Sequence, residues 1–374
     1  MHKIDYEEFF KSKDKKEFEN EYLGIFIDKR CKKKLKFLKT YEQYNKKYKS
    51  FKSNNKLEKL PVELKDLFIA SYKDLVDLFV DYNEALKSDD KKKSLVDIVF
   101  CDKIKNTKKS TKKVRTDVYE KFSEEIRSFF SKYANDLNLY SCAYCECAYT
   151  GSWNDGEYNS DNNKGFFALD HFFPKSIYPL FSLCLYNFVP CCNACNTGVK
   201  GNNFFDIDFS DANKAKEKLM HLSPVSTEYN FENNVTIRYI PKLKEKKTSD
   251  KKTEFKTETW HYEPLALSES ESYQVFFDMD FSENKNTNKA EIDAAKEIVD
   301  SMKLNERYNS LAIKNKGLYL LDLKKRYPAS NIKMLSDLLS VSSYPASLDE
   351  IEKGIFHKDE KFILNEKMKN DLLE

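Results

Sequence analysis

The chain has 374 residues, with 64 Lys/Arg against 61 Asp/Glu and a net charge of +3, so overall charge singles out no polyanionic partner. That length is enough for a sizeable core and for roughly two or three domains. No apolar run approaches the ~20 residues needed to cross a bilayer. The N-terminus, MHKIDYEEFFKSKDKKEF, lacks a signal-peptide apolar region, so a soluble, cytoplasmic protein with no membrane partner is expected.

Residues 1–135 read as a mainly helical region. Phe9, Phe10, Phe18, Tyr22 and Phe26 recur at helical spacing, as do Leu64, Leu67, Phe68, Tyr72, Leu75 and Leu78, with Pro61 just ahead of the second run. A basic run, Lys103 to Arg115, has no acid and no apolar stripe. It reads as a loop or disordered arm, either a solvated linker or a phosphate contact. Val118, Phe122, Ile126, Phe129, Phe130 and Tyr133 predict a helix that leads into Cys142.

Ala148 to Gly165 is rich in Gly, Asn, Asp and Ser and reads as an irregular loop. Phe166 to Pro174 is a short strand-like run. Past Asn203, residues 235–243, 253–264 and 272–281 alternate or are β-branched and aromatic, which predicts short strands with a mobile hairpin tip between the first two. Helices are expected over 288–304 and 311–327, and a short one capped by Ser347. The first 60 residues hold 18 Lys/Arg against 10 Asp/Glu, whereas residues 261–300 hold 10 acids and 3 Lys/Arg. This asymmetry hints that the N-terminal side faces a polyanion.

Seven of the nine cysteines lie between Cys142 and Asn203. Cys142-x2-Cys145 and Cys192-x2-Cys195 have zinc-knuckle spacing. Two residues between thiolates let both sulfurs reach one ion from a tight turn, and two such turns complete a closed, structural Zn2+ site. The alternative, buried free thiols, does not account for two independent x2 pairs. Cys147 and Cys191 fall outside the spacing and are expected not to be ligands, and Cys184 is expected in the core.

Between the knuckles stands Leu169-Asp170-His171-Phe172-Phe173-Pro174-Lys175-Ser176, then Asn187 before Phe188-Val189-Pro190, then Cys195-Asn196 with Lys200 behind. On a regular strand Asp170 and His171 would point to opposite faces. For both to meet one phosphate the strand must bend or end here. An isolated Asp-His pair is otherwise an ordinary strand-end pair, and Asn187 and Asn196 alone would be a turn and a helix-start residue.

In this order the residues resemble the HNH endonucleases of the ββα-metal finger superfamily: CxxC, then DHxxPxS, an Asn before a short strand, then CxxCNxxK. The match spans about 60 residues, with one extra residue before Lys200 and a long insert between Cys145 and Asp170. The first motif position is Asp and the last Asn where His also occurs in the family; both keep a metal ligand. The resemblance implies that Asp170 and Asn196 bind a catalytic Mg2+ or Mn2+, that His171 is the general base, and that Asn187 holds the His171 ring through the loop backbone. The chemistry agrees: a near-neutral imidazole can activate water, and a hard divalent ion prefers carboxylate and amide oxygens. Lys175 and Lys200 are candidate nucleic-acid contacts, although a lysine at a helix end also serves the helix dipole. His221, His261 and His357 have no partner pattern.

The fold expected is α+β. A helical region (1–135, with a basic arm at 103–115) leads into a zinc-stapled ββα nuclease core (136–210), followed by strands and C-terminal helices (211–374). The function expected is metal-dependent cleavage of nucleic acid, DNA first, in bacterial defence or restriction. The C-terminal stretch is similar in style to the helices behind HNH cores in Septu-type defence systems, which implies an ATPase partner. The alternative is a non-catalytic zinc-dependent module that binds nucleic acid or protein.

Overall fold

The computed structural model describes residues 2–27, 32–86, 100–107, 110–154, 163–201, 205–241, 273–279 and 289–326. It is a mixture of helices and short antiparallel strand pairs, consistent with α+β. Two compact units are formed: Met1–Phe231 with Thr287–Met302, and Glu232–Asn286 with Lys303–Glu374. The helical N-terminal part and the cysteine-rich segment therefore share one unit. Among the described residues no helix is long and apolar enough to cross a membrane.

The N-terminal helices form where the apolar spacing expects them: α1 (Tyr6–Ser12), α2 (Lys15–Ile27) and α3 (Lys32–Asn54). Asp5 caps α1 by accepting from the Glu8 amide at 3.0 Å. The run from Leu64 to Leu78 is two helices, α4 (Leu64–Phe68) and α5 (Tyr72–Asp81). The break is chemical: Ser71 and Asp74 form a reciprocal capping box at the start of α5, a device that contributes about 1 kcal/mol. A single turn, α6 (Asn83–Leu86), follows.

The basic run is not a loop. β1 (Phe100–Thr107) and β2 (Ser110–Asp117) form an antiparallel ribbon in which Lys105 faces Lys112 and Asp102 faces Arg115. Ile104, Thr107, Thr111, Val114 and Thr116 are β-formers spaced among the lysines. β2 runs straight into α7 (Val118–Lys132), which packs against α2. Phe18 and Tyr22 of α2 meet Phe129 at ring distances of 4.8 and 5.3 Å.

The loop expected over 148–165 also carries a hairpin, β3 (Ser152–Asn154) with β4 (Asn163–Gly165), both packed on α7. β5 (Ala168–His171) pairs with β6 (Phe188–Cys191), Ala168 opposite Cys191 and His171 opposite Phe188, and all eight residues are buried. α8 (Ala212–Leu222), capped by Asp211, packs on α5 and on α10 (Lys289–Ser301).

A turn, α9 (Phe231–Asn234), leads into the second unit, where β7 (Thr236–Pro241) and β8 (Tyr273–Asp278) form where the β-branched pattern predicts strands; β7 pairs with β8, and the hairpin tip expected after β7 lies outside the described residues. α11 (Leu304–Tyr308) lies against β8, where the Asn309 amide donates to the Val275 carbonyl and accepts from its N–H. α12 (Leu311–Arg326) follows, and its Gly317 admits the Tyr239 ring where any Cβ would overlap it. The strand expected over 253–264, the helix at Ser347, His261 and His357 lie outside the described residues.

Candidate functional site

The two cysteine turns come together at one end of the β5–β6 pair. The first is closed by Cys145 and Glu146 amides donating to the Cys142 carbonyl at 3.1 and 2.8 Å. Glu146 itself has a left-handed backbone (φ 51°). The second turn starts where β6 ends, and the Ala143 amide ties the first turn to β6 through the Pro190 carbonyl.

The Sγ atoms of Cys142, Cys145, Cys192 and Cys195 all lie within 4.8 Å of one another, and all four residues are buried. A tetrahedral ion with Zn–S bonds of about 2.3 Å spaces its sulfurs roughly 3.8 Å apart, and Cys145 and Cys192 stand at 4.0 Å. The amides of Cys147 and Cys195 donate to the sulfurs of Cys145 and Cys192, each at 3.4 Å, supplying positive dipoles to developing thiolates. The Cys142 thiol beside it holds Cys192 down to about 6. This quartet could hold a metal ion, and it is the one such group among the described residues. Cys147 and Cys191 stay outside it, and Cys184 is core.

At the other end of the strand pair β5 stops at His171, as the meeting of Asp170 and His171 requires. Pro174 and the following turn carry the chain away, with the Ile177 and Tyr178 amides on the Pro174 carbonyl. Asp170, His171, Pro174, Lys175, Asn196, Thr197 and Gly201 line one open cleft of about 270 Å³.

His171 is buried, and its Nε2 lies 3.0 Å from the Ser182 carbonyl. A carbonyl only accepts, so Nε2 carries the hydrogen and Nδ1 is the basic nitrogen. Burial pushes the imidazole down to about 3, with the Lys175 and Lys200 charges adding to it and the Ser182 bond opposing it. The ring is therefore neutral at physiological pH, and burial makes it a weaker base than the near-neutral imidazole expected from sequence. It packs edge-on to Tyr119 at 4.6 Å and against Phe188 at 4.9 Å.

Asn187 is fully buried. Its amide accepts from the Phe173 N–H at 2.8 Å and donates to the carbonyls of Phe173 and Phe181 at 3.2 and 3.0 Å. Phe181 precedes Ser182, so this amide braces the loop that receives the His171 ring. The loop rests in turn on the N-terminal helices, where Tyr22 donates to the Leu183 carbonyl at 2.8 Å.

Asn196 lies on a π-helical turn, Ala194–Lys200, whose Gly201 amide reaches back five residues to the Asn196 carbonyl at 3.0 Å. Gly201 closes the turn with φ 52° and ψ −128°, a conformation open to glycine. Asn196 is half-buried at the cleft wall.

Lys200 is placed unlike a surface phosphate contact. It is 4% exposed, and its Nζ sits 2.9 and 3.2 Å from the two Asp170 oxygens and 2.9 Å from the His171 carbonyl. Tyr144 donates to Asp170 Oδ2 at 2.7 Å. Burial pushes the Asp170 carboxyl up, opposed by Lys200 and Tyr144. Lys175 does reach the cleft, its Nζ 4.7 Å above the Tyr119 ring.

Comparison with protein-family models, curated proteins and solved structures gives no match for this chain. The site must be read from its own chemistry. An Asp carboxylate and an Asn amide supply the hard oxygens that a divalent cation prefers, beside a neutral imidazole of fixed tautomer. The Asp170 carboxylate is already engaged by Tyr144, Lys200 and the His171 backbone, so an ion bound there would take over part of the Lys200 interaction. Tyr119, Tyr144 and Ser182 were not singled out from sequence. The first reads as part of an amphipathic helix, the second as packing between two cysteines, and the third acts through its backbone.

Proposed function

We propose that this protein is a divalent-metal-dependent endonuclease of the HNH type that hydrolyses phosphodiester bonds in nucleic acid, with DNA the first substrate. The observation that carries the reading is the convergence of Asp170, His171 and Asn196 on one open cleft. In this reading the four cysteines bind structural zinc and take no part in the reaction.

His171 Nδ1 takes the proton from a water whose oxygen attacks phosphorus, while Nε2–H stays anchored on the Ser182 carbonyl. The P–O bond to the departing sugar oxygen then breaks. Asp170 and Asn196 would hold a divalent cation, which would supply charge stabilisation to the phosphate. Lys175 offers a positive charge to the backbone at the cleft rim. The backbone of the lysine-rich ribbon β1–β2 runs into α7, whose Tyr119 touches His171. A bacterial-defence setting and an ATPase partner rest on the C-terminal stretch alone.

The test is plasmid nicking with Mg2+ or Mn2+ by the parent protein and by His171→Ala. A fall of about 10²–10⁴-fold is expected for loss of a general base; equal nicking by the two proteins would remove His171 from the reaction. A second reading, a non-catalytic zinc module, has one observation in its favour: Lys200 already neutralises Asp170. Zinc in the purified protein with no divalent-dependent cleavage of any nucleic acid would select it.

A further inference from the structure

Asp170 is held from two directions. Its Oδ2 takes two short bonds, 2.7 Å from the Tyr144 hydroxyl and 2.9 Å from Lys200 Nζ, Oδ1 lies 3.2 Å from the same Nζ, and the carboxylate also accepts from the His171 backbone. Oδ2 is thus the more tightly held of the two oxygens. Tyr144 and Lys200 are both buried and neither lines the cleft, so they act on Asp170 and not on anything bound there. Burial and the neighbouring carboxylate push the Tyr144 phenol well up, so its hydroxyl remains a donor.

Their places in the chain give the arrangement its meaning. Tyr144 stands inside the first cysteine turn, between Cys142 and Cys145. Lys200 ends the π turn that starts at the second, five residues past Cys195. Lys200 also binds the His171 carbonyl at 2.9 Å, which locks the carboxylate to the backbone of its neighbour.

We propose that Tyr144 and Lys200 are positioning residues forming a clamp through which the four-cysteine centre sets the orientation, and hence the divalent-cation affinity, of Asp170. This rests on the reading of Asp170 as a metal ligand. A carboxylate free to rotate binds an ion less tightly than one held in place, and partners that orient a ligand are typically worth 10–100-fold in affinity. The Tyr144 side of the clamp can be removed without touching a thiol or the phenyl ring.

Mn2+ binding to the zinc-loaded protein, read from the loss of the free Mn2+ electron paramagnetic resonance signal, tests this with Tyr144→Phe, Asp170→Asn and Tyr72→Phe. Tyr72 is the control, a buried tyrosine whose hydroxyl donates to the Leu219 carbonyl at 2.8 Å. The expected result is about tenfold weaker Mn2+ binding by Tyr144→Phe at unchanged zinc content, loss of binding in Asp170→Asn, and parental binding in Tyr72→Phe. Parental binding by Tyr144→Phe alongside a defective Asp170→Asn would overturn the clamp and leave the metal-ligand reading standing. Parental binding by Asp170→Asn would overturn both. Loss of zinc from Tyr144→Phe would make the tyrosine part of the cysteine centre's own packing and overturn its assignment as a positioning residue.

Discussion

The four-cysteine centre and the Asp170 cleft occupy opposite ends of one short strand pair. Three residue steps, about 10 Å, separate the Ala168–Cys191 pair from the His171–Phe188 pair. Both are donor sets suited to a metal, and they are built in opposite ways. The cysteines are all buried, satisfy four-coordination among themselves and admit nothing else. The cleft is lined by a carboxylate, an amide and a neutral imidazole and is open; under the proposed function the first two would be ligands. A closed set can only hold structure, whereas an incomplete one leaves positions for water and phosphate. Donor count and openness, more than the presence of donors, separate a staple from a reaction centre.

The largest effect should come from breaking the closed end. Cys142→Ser with Cys195→Ser takes one thiolate from each turn. Structural zinc contributes on the order of 10–16 kcal/mol of apparent binding free energy in zinc-finger peptides at pH 7. The near-UV circular dichroism of the first unit should collapse, with zinc absent by elemental analysis. A variant that keeps its near-UV signal and its melting temperature would show that the cysteines do not hold this segment together.

At the open end the effect should be smaller and of another kind. Lys200→Met leaves the Asp170 carboxylate buried with only Tyr144 and the His171 backbone as partners. Removing one member of a buried ion pair costs roughly 3–5 kcal/mol. The urea midpoint of the zinc-loaded protein, measured without added Mg2+ or Mn2+, should drop accordingly, with zinc content unchanged. An unaltered midpoint would mean that solvent reaches Asp170 and that the pair is not a buried one.

The smallest effect is expected furthest from either centre. Lys105→Ser with Lys112→Ser removes a directly opposed pair from the basic ribbon. If both lysines meet phosphates, the slope of log binding constant against log salt on duplex DNA should become shallower by about 2, since each contact contributes ~0.9. An unchanged slope would confine substrate contact to the cleft.

What could be read in the sequence follows from how much chemistry each residue type carries. Paired cysteines, Asp170-His171 and the asparagines have few alternative uses, and their spacing brought them into view before any fold was known. Helices with regular apolar spacing, such as Val118–Lys132, were equally legible. The ribbon was not, because lysines occupy the positions where a strand's apolar residues would announce it. The break between α4 and α5 was hidden inside a continuous apolar rhythm and is made by one Ser–Asp capping box. Tyr144 gave no signal, and Lys200 pointed to solvent, for a related reason. A tyrosine between cysteines reads as packing and a lysine at a helix end reads as solvent-facing, and only tertiary structure brings both to one carboxylate.

The π turn after Cys195 has a consequence for chain length. In an α-helix each added residue rotates everything beyond it by about 100°, so an insertion between Asn196 and Lys200 would carry the lysine away from Asp170. Here Ala194–Lys200 is wound as a wider π turn closed at Gly201, and it is this winding that brings Lys200 to Asp170.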